Sequence, residues 1–358
     1  GEKLFCRGSN WVPSDPFHRH DPERILRMLE LAAGLGCNML RCWGGNVYES
    51  EHFFDLCDEL GILIWQDFAM SVAVYPQDQA FMQRLDIEAR QVIRRLRQHA
   101  CLALWCGDNE CDGIWLLNRR GDPNRNLLTR QVLPRAVYEE DPQRPYMPSS
   151  PCYDPEAAAM QRGAEYLGQY LPEGHLYPRA SYKPDDLVRK LDGCIFAGEI
   201  GYLGSPSVAT LKEFISAEQL WPYKGNSEWI LHSTNPTIDS TLALKPDYRV
   251  EALFDQIRAV FGFEPATLEE FVFASQAAQA EAFKFFIEFF RARKWDKTGI
   301  LWWNLMDGWP QFSDAVVDHY FREKLACQFI RRVQQPVVVM LAEPEGGRQR
   351  IILANDTR

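Results

Sequence analysis

The chain has 358 residues, 46% of them hydrophobic and 25% charged, enough for one barrel-sized domain and part of another. A net charge of −10, with no long block of Lys or Arg, argues against nucleic acid or an anionic membrane surface as a partner. No run approaches ~18 consecutive apolar residues, so no membrane-spanning segment is expected.

In chain order, Leu4–Cys6 reads as a first strand running into Gly8-Ser9-Asn10-Trp11-Val12-Pro13. Asp21-Pro22-Glu23 then has the form of a helix start, with Asp21 as N-cap and Pro22 at the first helical position. A second strand is expected from Asn38 to Trp43, stopped by Gly44-Gly45, then a helix over 51–60 and a buried strand at Ile62-Leu63-Ile64-Trp65. A long helix over 79–98 precedes strand four at Leu102–Trp105. Alternation this regular predicts a parallel sheet with helices outside it.

Further on, a helix near 127–140 leads to strand five within Tyr146-Met147-Pro148-Ser149-Ser150-Pro151. Strand six is expected around His175-Leu176-Tyr177 and strand seven at Ile195–Ala197. After Ser205-Pro206, read as another helix start, a poorly periodic stretch rich in Trp, Pro and Asn runs to about 247. It reads as a loop excursion over the barrel mouth. An apolar helix over 268–293 and an eighth strand at Gly299–Asn304 complete a (β/α)8 TIM barrel over residues 1–332. Residues 333–358 depart from this pattern, with strands at 337–341 and 350–355 flanking a polar loop. Two strands are not stable alone, so they read as the start of an immunoglobulin-like β-sandwich. No signal peptide opens the chain, and Gly1-Glu2-Lys3 leads straight into a strand, so the N-terminus reads as a cut within a longer protein. The compartment of that parent stays open among periplasmic, secreted and lysosome-like settings.

Two glutamates stand out. Glu110 closes the apolar run Leu102–Cys106 followed by Gly107-Asp108-Asn109, and Glu199 closes Cys194-Ile195-Phe196-Ala197-Gly198. In a barrel of parallel strands, residues at the C-terminal strand ends converge on one mouth. A carboxyl pair there suits hydrolysis of a glycosidic bond, one acting as acid and the other as nucleophile or base. The ten cysteines lie mostly in apolar runs and read as unpaired thiols. Cys106 and Cys111 bracket Glu110 at a spacing that fits no standard zinc pattern, so no metal is expected.

Five motifs, in order, resemble glycoside hydrolase family 2: Gly8–Pro13, Asn38-Met39-Leu40-Arg41-Cys42-Trp43-Gly44-Gly45, Ile64-Trp65-Gln66-Asp67-Phe68, Leu104–Glu110 and Gly299–Pro310. The Asn10-Trp11-Val12-Pro13 form resembles the branch of β-mannosidases and exo-β-glucosaminidases. The resemblance implies a retaining exo-β-glycosidase with a carbohydrate substrate, no cofactor, and β-sandwich domains flanking the barrel in the full-length protein. It implies Glu110 as acid/base and Glu199 as nucleophile, about 5–5.5 Å apart. It further implies Asn109 on the sugar 2-hydroxyl, Arg41 holding the nucleophile, and Trp43 and Trp303 as pocket walls. His175 and Tyr177 stand where relatives carry a His-Tyr-Trp type sequence, and Tyr177 is the favoured approach to the nucleophile. Asp67 would orient pocket groups, while Trp229 and His232 could shape the leaving-group side. Asp108 stands where mannosidases often carry Asn, and its charge is expected beside the acid. A β-glucosaminide, β-galactoside or β-glucuronide substrate, or a non-catalytic carbohydrate-binding barrel, are the alternatives.

Overall fold

In the computed structural model, residues 3–19, 21–117, 121–160, 171–178, 191, 193–233, 248–342, 344 and 346–357 are described. The eight expected strands are present: β1 Cys6–Trp11, β2 Met39–Cys42, β3 Leu63–Asp67, β4 Leu102–Cys106, β5 Tyr146–Met147, β6 Glu173–Leu176, β7 Phe196–Gly201 and β8 Gly299–Trp303. All neighbours pair in parallel, in the order β5-β4-β3-β2-β1-β8-β7-β6, and helices alternate with them. The result is a curled, TIM-barrel-like sheet.

β1 begins later than the sequence suggests and continues through Trp11, so the Gly8-Ser9-Asn10-Trp11 motif is strand rather than the loop after it. Gly8 permits this, because a Cβ there would lie 1.8 Å from the Met39 carbonyl oxygen of β2. β7 likewise runs past Ala197, with Glu199 inside the strand. The register shifts between Ala197 and Ile200, an irregularity of the kind that re-aims a side chain.

Alternation along the strands layers the barrel interior. Met39, Trp65, Cys106 and Leu301 form an apolar plug. Two residues further along β2 and β3, Arg41 and Asp67 occupy the next inward positions, and both are buried. Between sheet and helices lies the main apolar core, which includes Phe53, Phe54, Trp105, Phe286 and Trp302.

The segment after β7 is more ordered than its weak periodicity suggests. A helix Val208–Phe214 is capped by Ser207, not Ser205, and a short helix Ser227–Leu231 is capped by Asn226. Residues 234–247 lie outside the described residues. The helix Tyr248–Phe261, unassigned from sequence, buries Val250, Leu253, Phe254 and Ile257 at helical spacing. With Trp229, Phe271 and Phe312 these make a second apolar cluster. All ten cysteines are free thiols. Among the described residues no helix is long and apolar enough to cross a membrane.

At the C-terminus Val337–Leu341 (β9) and Ile351–Asn355 (β10) form an antiparallel pair. Met340 and Ala354 are buried, while Val337, Val339, Leu341, Ile351 and Leu353 face outward and are exposed. Asp356 anchors this pair by ion pairs with Arg7, Lys294 and the buried Arg291, the last at 2.8 Å. Those three cations outweigh burial and hold its carboxyl below the usual range. A carboxyl depressed in the fold stabilises above its unfolded pKa and loses that contribution as pH falls through its folded value. Asp356→Asn is therefore expected to lower stability by about 3 kcal/mol at neutral pH by stranding Arg291. Urea unfolding should show the gap from wild type narrowing below about pH 4.

Candidate active site

Arg41 organises the mouth. From β2 its fully buried guanidinium donates Nη1 to Glu199 Oε1 (2.5 Å) and to Asn10 Oδ1 (3.0 Å). Its Nη2 donates to Asp67 Oδ2 and to Asn109 Oδ1, both at 2.8 Å. Acceptors from β1, β3, β7 and the turn after β4 thereby converge on one planar fork, the geometry for which Arg is suited. The guanidinium lies against the Trp65 indole, 5.3 Å from the ring centroid. The same indole donates to Asp67 Oδ1 at 2.8 Å, and the Gly44 N–H donates to Asp67 Oδ2 at 2.9 Å. Burial raises the Asp67 carboxyl even so, against the pull of Arg41.

Glu199 is almost wholly enclosed and has donors on both oxygens. Arg41 holds Oε1, and the Tyr177 hydroxyl donates to Oε2 at 2.5 Å. Burial, then the charge of Glu199, pushes the Tyr177 phenol well above its usual range, so it remains a donor. His175 pairs directly with Glu199 in the β6–β7 register, and its Nδ1 lies 3.5 Å from Glu199 Oε2.

Glu110 follows β4 with φ of +58°, a left-handed conformation costly for a residue with a side chain. Two backbone bonds fix it there: its N–H donates to Ser150 O (2.8 Å), and its carbonyl accepts from Ile114 N (3.1 Å) in the helix Cys111–Leu117. The carboxyl faces the mouth with 37% of the side chain exposed, and its Oε1 lies 2.8 Å from His175 Nδ1. Its protein surroundings still raise its pKa by desolvation, with Arg41 and Arg249 pulling the other way. Burial drives the His175 imidazole down to about 3, so it is neutral and carries a single N–H. Ligand atoms of Glu110, His175 and Glu199 all lie within 4.8 Å of one another.

That triad has the donor set of a metal site, but Glu199 already accepts bonds on both oxygens and one donor is a guanidinium, which repels a cation. A second group, Asp55, Asp58 and His99, lies on the outer face. There His99 bonds Asp58 (2.9 Å) and Glu51 (3.0 Å), tying the helix Glu51–Leu60 to the turn before β4.

Trp43 and Trp303 meet edge to face, ring centroids 5.3 Å apart. They line a cavity of about 280 Å³ at the ends of β1, β2 and β8, with Val12, Asp15 and Trp309. A larger cavity of about 590 Å³ lies past β3 and β4, lined by Tyr75, Trp115 and Arg125.

Six of the eight residues singled out from sequence, Arg41, Asn109, Glu110, His175, Tyr177 and Glu199, are thus joined by hydrogen bonds or charged contacts. Two other expectations, on Asp108 and Trp229, are corrected. Asp108 does not set a charge beside the acid: its side chain is buried, accepts from Ser149 Oγ and Cys111 N, and is pushed up to about 8 by burial and by Asp112. Trp229 is core, stacked on Phe312 at 4.5 Å. His232 bonds the Pro310 carbonyl at 2.7 Å and stacks on Trp309. Sequence reasoning passed over Ser150 and Glu173, which flank His175, and Arg249, which brings positive charge toward Glu110 and Asp314. The one available signal was Glu173, an acidic residue two positions before His175 on the same inward face.

A parallel barrel with two carboxyls this close at its C-terminal mouth defines the glycoside-hydrolase type of barrel. No protein-family model matches the chain. It is 28% identical to the β-mannosidase of Capra hircus, over 94% of this chain and 39% of that protein. It is 29% identical to β-mannosidase B of Emericella nidulans, over 95% of this chain and 40% of that one. The crystal structure of the β-D-mannosidase from Dictyoglomus thermophilum superposes with a TM-score of 0.85 at 30% identity, covering 99% of this chain and 41% of that one. The exo-chitosanase of Amycolatopsis orientalis, at 19% identity and a TM-score of 0.72, shares the fold over all of this chain and 40% of its own length. The chain is similar to β-mannosidases along the whole of its barrel, and it spans about two fifths of the length of the curated relatives it matches.

Removing the central cation tests the site's electrostatics. Arg41→Met leaves Asp67 and Glu199 buried without it, and a loss of about 3–5 kcal/mol in urea unfolding is expected. Arg41→Lys keeps the charge but cannot reach four acceptors at once, so it should recover only part of that loss.

Proposed function

We propose that this barrel is the catalytic domain of a retaining exo-β-glycosidase acting on terminal β-mannosides. The approach of the Glu110 and Glu199 carboxyls to within 4.8 Å carries the reading. A retaining double displacement needs the two groups about 5–5.5 Å apart, whereas an inverting enzyme leaves about 6.5–9.5 Å for a water. Glu199, oriented by Arg41 and Tyr177, attacks the anomeric carbon. Glu110, whose raised pKa favours its acid form, protonates the departing oxygen. Esterification of Glu199 removes a neighbouring charge, and Glu110 then serves as base for the incoming water. Asn109 has its oxygen on Arg41 and its amide 3.2 Å from Ser71 Oγ, which leaves one amide hydrogen for the sugar 2-hydroxyl. Trp43 and Trp303 offer flat apolar area to the C–H face of a pyranose. The named β-mannosidases among the relatives support mannose over glucosamine, galactose or glucuronic acid.

The outward apolar face of β9 and β10 supports the further reading that residues from about 333 begin a β-sandwich whose second sheet covers Val339 and Leu353. In a chain continuing past Arg358, backbone amides of β9 and β10 should exchange with solvent more slowly than in residues 1–358 alone. Equal exchange would argue against a sandwich there.

In the full-length protein, Glu199→Ala should abolish turnover of aryl β-mannosides, and unchanged activity would refute the assignment. Glu110→Ala should slow turnover about 10²–10⁴-fold. Azide should restore part of that loss, since it needs no general base. Across a panel of nitrophenyl glycosides the β-mannoside should dominate. A dominant β-glucosaminide rate would move the substrate, and sugar binding without turnover would indicate a binding barrel.

A further inference from the structure

β5 and β6 end the strand order, and among the described residues no backbone ladder joins them. Side chains cross this seam instead. Glu173 Oε1 lies 3.0 Å from Ser150 Oγ, Ser150 Oγ lies 2.8 Å from His175 Nε2, and His175 Nδ1 lies 2.8 Å from Glu110 Oε1. The four groups form an unbroken line of hydrogen-bonding atoms from a carboxyl inside the barrel to the carboxyl at its mouth. Gly198 makes room for the inner end, because a Cβ there would stand 2.0 Å from Glu173 Oε1. The other oxygen, Glu173 Oε2, is buried with no hydrogen-bond partner among the described residues. An unsolvated oxygen of that kind is poorly suited to a full negative charge.

We propose that Glu173, Ser150 and His175 form a proton relay through which Glu173 and Glu110 share one proton, making Glu173 a positioning residue for the group that protonates the leaving oxygen. This rests on the assignment of Glu110 as acid/base. In one arrangement Glu110 holds the proton and donates to Nδ1, the Nε2–H donates to Ser150 Oγ, and the Ser150 hydroxyl donates to ionised Glu173. In the other, the Glu110 proton has passed to Nδ1, the Nε2 proton to Ser150, and the Ser150 proton to Glu173. Three protons each move one bond, no net charge changes, and the imidazole is neutral at both ends of the exchange.

The surroundings favour such sharing. Burial pushes Glu173 up to about 8 and keeps His175 neutral, so neither a permanent carboxylate nor an imidazolium interrupts the line. Of the charged groups facing it, Arg41 from β2 and Arg249 from the helix Tyr248–Phe261 favour ionised carboxyls, while Glu199 from β7 and Asp67 from β3 oppose them. The thiols of Cys152 and Cys194 and the phenols of Tyr153 and Tyr177 are each raised by burial and stay neutral near pH 7.

The test uses Glu173→Gln, Ser150→Ala and the double variant in the full-length protein. Removing the second carboxyl takes a negative charge from the far end, and removing the hydroxyl cuts the line. Each should move the basic limb of the kcat/KM pH profile about 0.5–1 pH unit lower. The double variant should move it no further than either alone, because both act through one connection. Infrared titration reads the same line without turnover. In Glu173→Gln and in Ser150→Ala alike, the protonated C=O band of the mouth carboxyl should titrate lower than in wild type. Limbs that stay in place, additive shifts, or an unchanged band would overturn the relay. A wild type with no turnover of any aryl β-glycoside would instead remove the glycosidase reading, and the band and its Ser150→Ala shift would still decide whether the carboxyls share a proton.

Discussion

Everything at the mouth is arranged around one buried cation. A guanidinium in the barrel interior is tolerable only if its donors are met and its charge is opposed. Arg41 meets both conditions by gathering Asn10, Asp67, Asn109 and Glu199 from β1, β3, the end of β4 and β7. Because three acceptors sit on different strands and the fourth in the turn after β4, the fork also fixes how those elements stand relative to one another. The side chain that orients Glu199 is in this way part of what holds the barrel's upper layer together.

The interior is graded along the strands. An apolar plug of Met39, Trp65, Cys106 and Leu301 closes one end, and charged groups begin one inward position later. Trp65 belongs to both layers, since its ring packs in the plug while its N–H holds Asp67. Low polarity below and protein walls at the sides are what lift the pKa values of Asp67, Glu110 and Glu173, so packing and acid–base chemistry have one cause.

Much of this was legible in the sequence, for identifiable reasons. Apolar runs stopped by Gly or by carboxylates marked β2, β4 and the N-terminal part of β7, and the family resemblance pointed to Arg41 and Asp67. Most residues that act within a strand or in the turn after it were found. Residues that act across the fold were not: Ser150 and Glu173 meet only because the β5–β6 seam brings a loop against a strand. Asp108 was misjudged because a neighbouring charge in sequence turned out to cap a helix, a choice made by Ser149 and the Cys111 N–H. Trp229 was misjudged because the helices Val208–Phe214 and Tyr248–Phe261 give the excursion its own core. Aromatic content alone does not separate a pocket wall from a core residue.

The left-handed backbone at Glu110 has one more implication. Polypeptides ordinarily reserve that region for glycine or asparagine, and a glutamate there raises the energy of the native state by about 1–3 kcal/mol. Drift toward greater robustness would therefore tend to erase this side chain, while pressure to keep working chemistry would retain it. A lineage that had abandoned its reaction should show the change here early, with a smaller residue relaxing into the same bend.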